Sequence, residues 1–397
     1  MLLVPVGEIV SRCRRLQERM ARAGIEAMLA LQSADLFYLA GSIQQGVLYV
    51  PVAGDPLYLV RRNLDRARHE SPLRFVLPLK GFKDVLALAR DAGLPAPKRV
   101  GVEADVLPLA VFRRLEAALP GVAFEDGSGL LKAIRSIKSP WEIDRVRETA
   151  GLLDRLFVRA VEMVRPGLSD LELSAALEHE ARLLGHQGLV RMRAFNAELV
   201  FGLTASGATA GVPGGFDMPL CGPGTGPSVA QGATAKPIAA GEPIIVDLAA
   251  CKDGYVADQT RTLCIGPLPD ELARAHDDMM KVEDRLEQLA RPGLAWGDLY
   301  ESCLEFAVQA GHAARFMGPP GAQVGFIGHG VGVELDEAPY IARGFDRDRL
   351  EAGMVFAFEP KVVFEGVGAV GIEDTYAVTE DGLERLTGTP RQVLTVG

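Results

Sequence analysis

Two short phrases of this chain each occur twice, at one common spacing. Arg165-Pro166-Gly167-Leu168 returns as Arg291-Pro292-Gly293-Leu294, and Gly185-His186 returns as Gly311-His312; both offsets are 126 residues (291 − 165 and 311 − 185). Each copy has a long helical stretch before the turn and another between the turn and the Gly-His pair. A shared offset at two separate points predicts two similar halves related by a pseudo-twofold axis. Whatever chemistry one half carries on a strand pair, the other half should match.

The first half offers Ile244 to Thr262, an apolar run, a Lys252-Asp253-Gly254 turn and a second run ending in Thr260-Arg261-Thr262. Asp-Gly between two strand-like runs is a strong hairpin signal. Asp247 and Asp258 sit one on each arm, and a loop of even length puts them on one face, opposed or diagonal. Asp247 ends the run Ile244-Ile245-Val246 and is expected to be at least half buried, whereas Asp258 alone reads equally well as a solvated acid. Two close carboxylates repel unless a cation lies between them, and a buried unpaired one is costly. The second half supplies Met354–Phe364 and Ala369–Thr379 around Glu365-Gly366-Val367-Gly368, with Glu359 and Glu373 equidistant from Gly366. Between the hairpins, the glycine-rich segment 325–332 presents one histidine, His329. Two Asp, two Glu and one His make a mostly oxygen-donor set, suited to a pair of Mn²⁺, Co²⁺, Fe²⁺ or Zn²⁺ ions rather than to a structural zinc. Two such ions can polarise a carbonyl for amide hydrolysis.

The chain has 397 residues, enough for two domains with cores of their own. Ser139-Pro140-Trp141-Glu142 reads as a capping box with proline at the first helical position. It opens a helix whose apolar positions run from Ile143 to Val164 in steps of three and four. The boundary is therefore placed there, giving domains 1–138 and 139–397. Before it, a helix over Glu8–Gly24 is followed by strand-like runs at Ala27–Leu31, Leu36–Ala40, Val47–Val52 and Leu57–Arg61. Helices and strands then alternate to about residue 138, an α/β domain.

The net charge of −10 without a basic stripe argues against a nucleic-acid partner. No apolar run is as long as a membrane span, and the first residues lack the charge order of a signal peptide. Five cysteines with no Cys-x-x-Cys pair read as reduced thiols of a cytoplasmic protein.

The chain resembles the pita-bread superfamily of aminopeptidase P, prolidase, methionine aminopeptidase and creatinase, over nearly its whole length. The segment Asp35 to Gly41 is similar to the creatinase-type N-terminal domain. Ile137-Lys138-Ser139 with Glu142-Ile143, the hairpin of Asp247 and Asp258, Gly328-His329-Gly330, Phe358-Glu359-Pro360 and Ile372-Glu373-Asp374 follow in the family's order. The resemblance implies an α+β fold, a creatinase-type α/β N-terminal domain followed by a pseudo-twofold pita-bread catalytic domain. It implies two divalent metal ions per chain, manganese or cobalt favoured, with Asp247 on one, Asp258 and Glu373 bridging, and His329 on the other. Glu359 would be a ligand and the acid/base. It also implies a homodimer in which the N-terminal domain helps to wall off the site, and a short peptide or small amide as substrate.

The accessory positions differ from the family's peptidases. Asp336 stands where they carry a histidine, Gly325 and Gly371 replace a further histidine and an arginine of aminopeptidase P, and Lys361 follows the Phe-Glu-Pro triplet where glycine is usual. No histidine lies between His186 and His276; in its place is a long glycine-rich segment, Thr204 to Thr234, read either as a neutral insertion or as a mobile lid or pocket wall. Substitute oxyanion donors are sought among Lys361, Tyr376, Arg191 and Arg193, and Asp336, Lys361 and Tyr376 are taken as candidate substrate-binding residues. The leading function is an Xaa-Pro dipeptidase or aminopeptidase P-like hydrolase. The alternative is a non-peptidase enzyme on the same scaffold, a creatinase- or ectoine-hydrolase-like amidohydrolase or a metal-dependent lyase; a binding protein without catalysis is the third.

Overall fold

A computed structural model describes residues 2–196, 201–229 and 231–396. The chain divides into two units, Met1–Arg135 with Arg193–Ala197, and Ser136–Met192 with Glu198–Gly397.

The first unit is built on a six-stranded mixed sheet in the order Phe75–Pro78, Leu57–Val60, Gly46–Pro51, Ala27–Ala30, Arg99–Val102, Ala123–Asp126. Its first helix, Val6–Ala23, ends at Gly24 with φ of 68°, a left-handed cap that glycine adopts without strain. One expected strand is instead a helix: Ser33–Ala40 is helical, the Gln32 side chain accepting from the Asp35 N–H at 3.0 Å and Gly41 closing the C-terminus. Leu36 to Ala40 is apolar without a break, so it carries no period by which a strand and a buried helix can be told apart.

The second unit shows the two halves directly. Helices Pro140–Met163 and Asp170–Leu184 in one half correspond to Asp270–Leu289 and Trp296–Gln309 in the other. The capping box at Ser139 and Glu142 is formed. Gly185 and Gly311 close the second helix of each half, and the N–H of the following histidine donates back to Ala181 and Ala307 respectively. The strands lie in three groups: Gly202–Ser206, Ile244–Lys252, Tyr255–Ile265 and Leu394–Val396; Leu335–Ala342, Phe326–Val331, Val355–Phe358, Asp374–Val378 and Leu383–Arg385; and the pair Lys361–Phe364 with Gly368–Gly371. Leu272, Met279, Val282 and Leu286 of one helix pack on Phe356, Phe358, Val362 and Val370 of the second hairpin, a buried apolar layer that fixes which hairpin face points away from the helices. The two hairpins meet at Thr260 and Glu373, whose backbones exchange hydrogen bonds of 3.3 and 3.1 Å.

Candidate metal centre

The first hairpin closes through Asp253 and Gly254, both at positive φ (50° and 84°), the geometry of a two-residue turn that matches strand twist. Lys252 therefore pairs with Tyr255, Asp247 pairs with Thr260 and Ala249 with Asp258. The two aspartates are diagonal on one face, and both are largely withdrawn from solvent, with side-chain exposures of 15% and 8%. In the second hairpin Phe358 pairs with Asp374 and Lys361 with Gly371. The same register sets Glu359 opposite Glu373, at a break in the ladder. His329 arrives on the strand Phe326–Val331, between partners Ala357 and Tyr340.

All five residues converge. His329 Nε2 lies 3.9 Å from Asp258 Oδ2, 3.7 Å from Glu359 Oε1 and 3.9 Å from Glu373 Oε1. Ligand atoms of Asp258, His329 and Glu373 all fall within 4.8 Å of one another. A first-row divalent ion bonded at roughly 2.0–2.2 Å spaces its ligand atoms between about 3 and 4.4 Å, so this group fits one. Glu373 Oε1 is buried and takes part in no hydrogen bond, an acceptor aimed at the place a cation would fill. On the far side of the imidazole, Asp336 Oδ1 lies 3.3 Å from His329 Nδ1. The contact lacks hydrogen-bond geometry, but a negative charge beside Nδ1 favours the tautomer that keeps the proton there and leaves Nε2 free to coordinate.

The sixth member of the cluster is less expected. Lys361 Nζ donates to Asp247 Oδ2 at 3.0 Å, Glu359 Oε2 at 2.6 Å and Glu373 Oε2 at 3.0 Å. Burial alone would push its proton off, but the three carboxylates overcome that and hold it well above the ordinary lysine range. Burial pushes Asp258 well up, and the charges of Glu373 and Asp247 push it further. Burial also raises Asp247, Glu359 and Glu373, against the opposing pull of Lys361. Even with one ammonium present, the cluster holds more negative charge than it can settle.

The candidate substrate-binding residues separate. All three protons of the Lys361 ammonium are committed to carboxylates, so none is left for a substrate oxygen. Tyr376 is fully buried, its ring stacked with Phe356 and its hydroxyl donating to Glu287 at 2.9 Å, on the helix side of the sheet. Arg193 is held by Asp35 and Asp105 in the first unit. Of the three, Asp336 alone lines the cavity over the cluster, and it does so against His329.

That cavity, about 60 Å³, is walled by Met192, Met218, Pro219, Phe326 and Leu335 beside the acids. Asp217, Met218 and Pro219 come from the glycine-rich segment, which thus forms a wall of the site. Its start is ordered differently from a plain loop: Gly202–Ser206 is a strand on Ile244–Lys252, followed by a 3₁₀ turn over Gly207–Gly211. Ala230 of that segment lies outside the described residues. Two supporting residues escaped the sequence reading. Thr260 donates from Oγ1 to Glu373 Oε2 at 2.7 Å, and Arg261, fully buried on the opposite face, grips Asp374 Oδ1 and the carbonyls of Thr260 and Glu373. The strand alternation around Asp258 places Thr260 on the site face; nothing comparable in the sequence marks Arg261.

Comparison with known proteins identifies the family and the fold. Residues 144–380 match metallopeptidase family M24, and residues 12–137 match the creatinase/prolidase N-terminal domain. An Xaa-Pro dipeptidase of Pyrococcus furiosus is 25% identical over 385 residues, covering 96% of this chain and 99% of that protein. A probable dipeptidase, PepE, of Mycobacterium tuberculosis is 26% identical over 388 residues, 95% of this chain and 93% of the relative. Among solved structures, an Xaa-Pro dipeptidase from Bacillus anthracis superposes with a TM-score of 0.82 at 24% identity, over 98% of this chain and 99% of that one. An X-Pro aminopeptidase from Thermotoga maritima MSB8 gives 0.79 at 25% identity, over 97% and 99%. The fold is a creatinase-type N-terminal domain followed by the pita-bread domain.

Proposed function

This chain belongs to metallopeptidase family M24, and on that premise we propose that it is a metal-dependent hydrolase of short peptides, of the Xaa-Pro dipeptidase type. The convergence of Asp258, Glu359, Glu373 and His329 Nε2 on one point carries the reading. These residues would hold a divalent ion, which polarises the scissile carbonyl and activates water when bound. Manganese or cobalt suits the three carboxylates and one imidazole.

The chain's own groups divide the remaining work. Glu359 turns Oε1 toward His329 and the ion position and Oε2 toward Lys361, so Oε2 is the oxygen that can take and return a proton. Asp336 sets a negative charge beside His329 Nδ1, which favours the proton on that nitrogen. The wall of Met192, Met218, Pro219, Phe326 and Leu335 excludes water and suits an apolar or prolyl side chain. We place the protein in the cytoplasm as a homodimer. The five cysteines, all buried and unpaired, suit a reducing compartment; light scattering checks the dimer, and a monomeric mass counts against it.

The test is mass-spectrometric detection of cleavage over a dipeptide and tripeptide panel, with Mn²⁺ or Co²⁺ and an EDTA control. EDTA-sensitive cleavage at Xaa-Pro bonds is the expected result. One observation favours a second reading, an amidohydrolase or lyase acting on a small non-peptide: among the described residues lining the cavity, His329 is the one histidine and there is no arginine or lysine to steady an oxyanion. Turnover of a small amide by metal-loaded protein that leaves every peptide intact would establish it instead.

A further inference from the structure

We propose that this site binds one divalent ion rather than two, because the side chain of Lys361 occupies the second cation position. The inference rests on Asp258, His329 and Glu373 being metal ligands, and is independent of what the enzyme cleaves.

The two glutamates show how the site is partitioned. Glu359 turns Oε1 toward His329 Nε2 and Oε2 toward Lys361 Nζ. Glu373 does the same, Oε1 at 3.9 Å from His329 Nε2 and Oε2 at 3.0 Å from Lys361 Nζ. Each carboxylate therefore bridges two cation positions. Asp258 and His329 complete one of them, and Asp247 with the ammonium completes the other. An ion bonded at roughly 2.0–2.2 Å to Asp247, Glu359 Oε2 and Glu373 Oε2 would need the space the nitrogen fills, since Nζ sits 2.6–3.0 Å from those same three atoms.

The lysine is built into this place rather than resting in it. Its side chain is 1% exposed. Its cross-strand partner is Gly371, where an added Cβ would come within 2.8 Å of Lys361 Cγ and 2.8 Å of its Cα. A side chain at 371 would deny the lysine stem its path. The ammonium has three donors and three acceptors, so displacing it would leave a buried charge without any of its partners. Charge agrees: four carboxylates against one ammonium and one divalent ion leave a single negative charge. A second divalent ion beside Lys361 would set five positive charges against four.

The test is metal stoichiometry, read without reference to activity. The wild-type chain and the variants Lys361→Gly and Lys361→Met are loaded with Mn²⁺, desalted, and assayed by inductively coupled plasma mass spectrometry and electron paramagnetic resonance. One ion per chain with the hyperfine pattern of an isolated Mn²⁺ is expected for wild type. Lys361→Gly, which empties the position, should take up two ions with an exchange-coupled spectrum; Lys361→Met, which keeps the stem, should stay at one. Two coupled ions in the wild type, or none, overturn the proposal. So does a folded Lys361→Gly chain that still binds one. If that variant does not fold, the wild-type stoichiometry and spectrum decide the matter. A chain that binds one ion yet cleaves no peptide upholds this inference and rejects the peptidase reading.

Discussion

His329 and Asp336 are seven positions apart in the chain, yet the 3.3 Å between them makes Asp336 the natural keeper of the imidazole. Asp336→Ala should therefore weaken metal binding by about 10–100-fold; its side chain is 41% exposed, so the stability cost is that of alanine at a φ of 60°, about 1–2 kcal/mol. Isothermal titration with Mn²⁺ reads this directly, and an unchanged affinity would dismiss the role. Arg261 acts on the opposite face. It is fully buried against Asp374 and also donates to Thr260, Glu373, Thr389 and Pro390 carbonyls. Arg261→Ala strands a buried carboxylate and should cost about 3–5 kcal/mol in chemical denaturation. The acids and the histidine were legible in sequence because strand alternation and hairpin symmetry put them on one face. The destinations of Arg261 and Lys361 were not, because each is decided by contacts between hairpins more than a hundred residues apart. Lys361 follows Glu359 by two positions, so alternation could place it on the site face. Alternation could not say that Gly371 would leave room for the stem to reach Asp247.

At the scale of elements, the turn chemistry was the most readable feature and the short apolar runs the least. Asp253-Gly254 closes the first hairpin with Gly254 at φ of 84°. Gly254→Ala should cost about 1–2 kcal/mol and loosen the register that sets Asp247 and Asp258 on one face. Equilibrium unfolding together with Mn²⁺ titration would follow both effects; a variant as stable as wild type would mean that the turn does not hold the register. The capping box at Ser139 and the paired Gly-His closures were equally plain, since each depends on residues within one helical turn. Leu36 to Ala40 was misread because its helix is declared by Gln32 and Gly41, outside the apolar run. The strand Gly202–Ser206 escaped notice for a related reason. It is short, begins on a glycine and leads into a glycine-rich segment, and its pairing with Ile244–Lys252 spans some forty residues.

At the scale of the whole molecule, the site costs stability until a cation arrives. Four carboxylates are packed into the seam of the second unit, and burial together with mutual repulsion raises them, Asp258 most insistently through Glu373 and Asp247. Lys361 offsets part of this repulsion, through Asp247, Glu359 and Glu373; Asp258 has no hydrogen bond from it. An ion bound beside Asp258 should therefore act as a ligand that recognises only the native state. At a free concentration 100-fold above its dissociation constant it adds about 2.7 kcal/mol, which raises the melting temperature measurably in differential scanning calorimetry and is reversed by EDTA. Asp258→Asn separates this effect from general salt stabilisation. The amide keeps an oxygen to accept from the Gln259 N–H, the bond Asp258 Oδ1 makes at 3.0 Å, and removes one of four crowded charges. The variant should melt above the metal-free wild type and respond little to Mn²⁺, exchanging affinity for stability as sites of this kind do. If its melting point instead rises with Mn²⁺ as far as the wild type's does, the ion binds without Asp258, and the ligand set drawn from the converging hairpins is wrong.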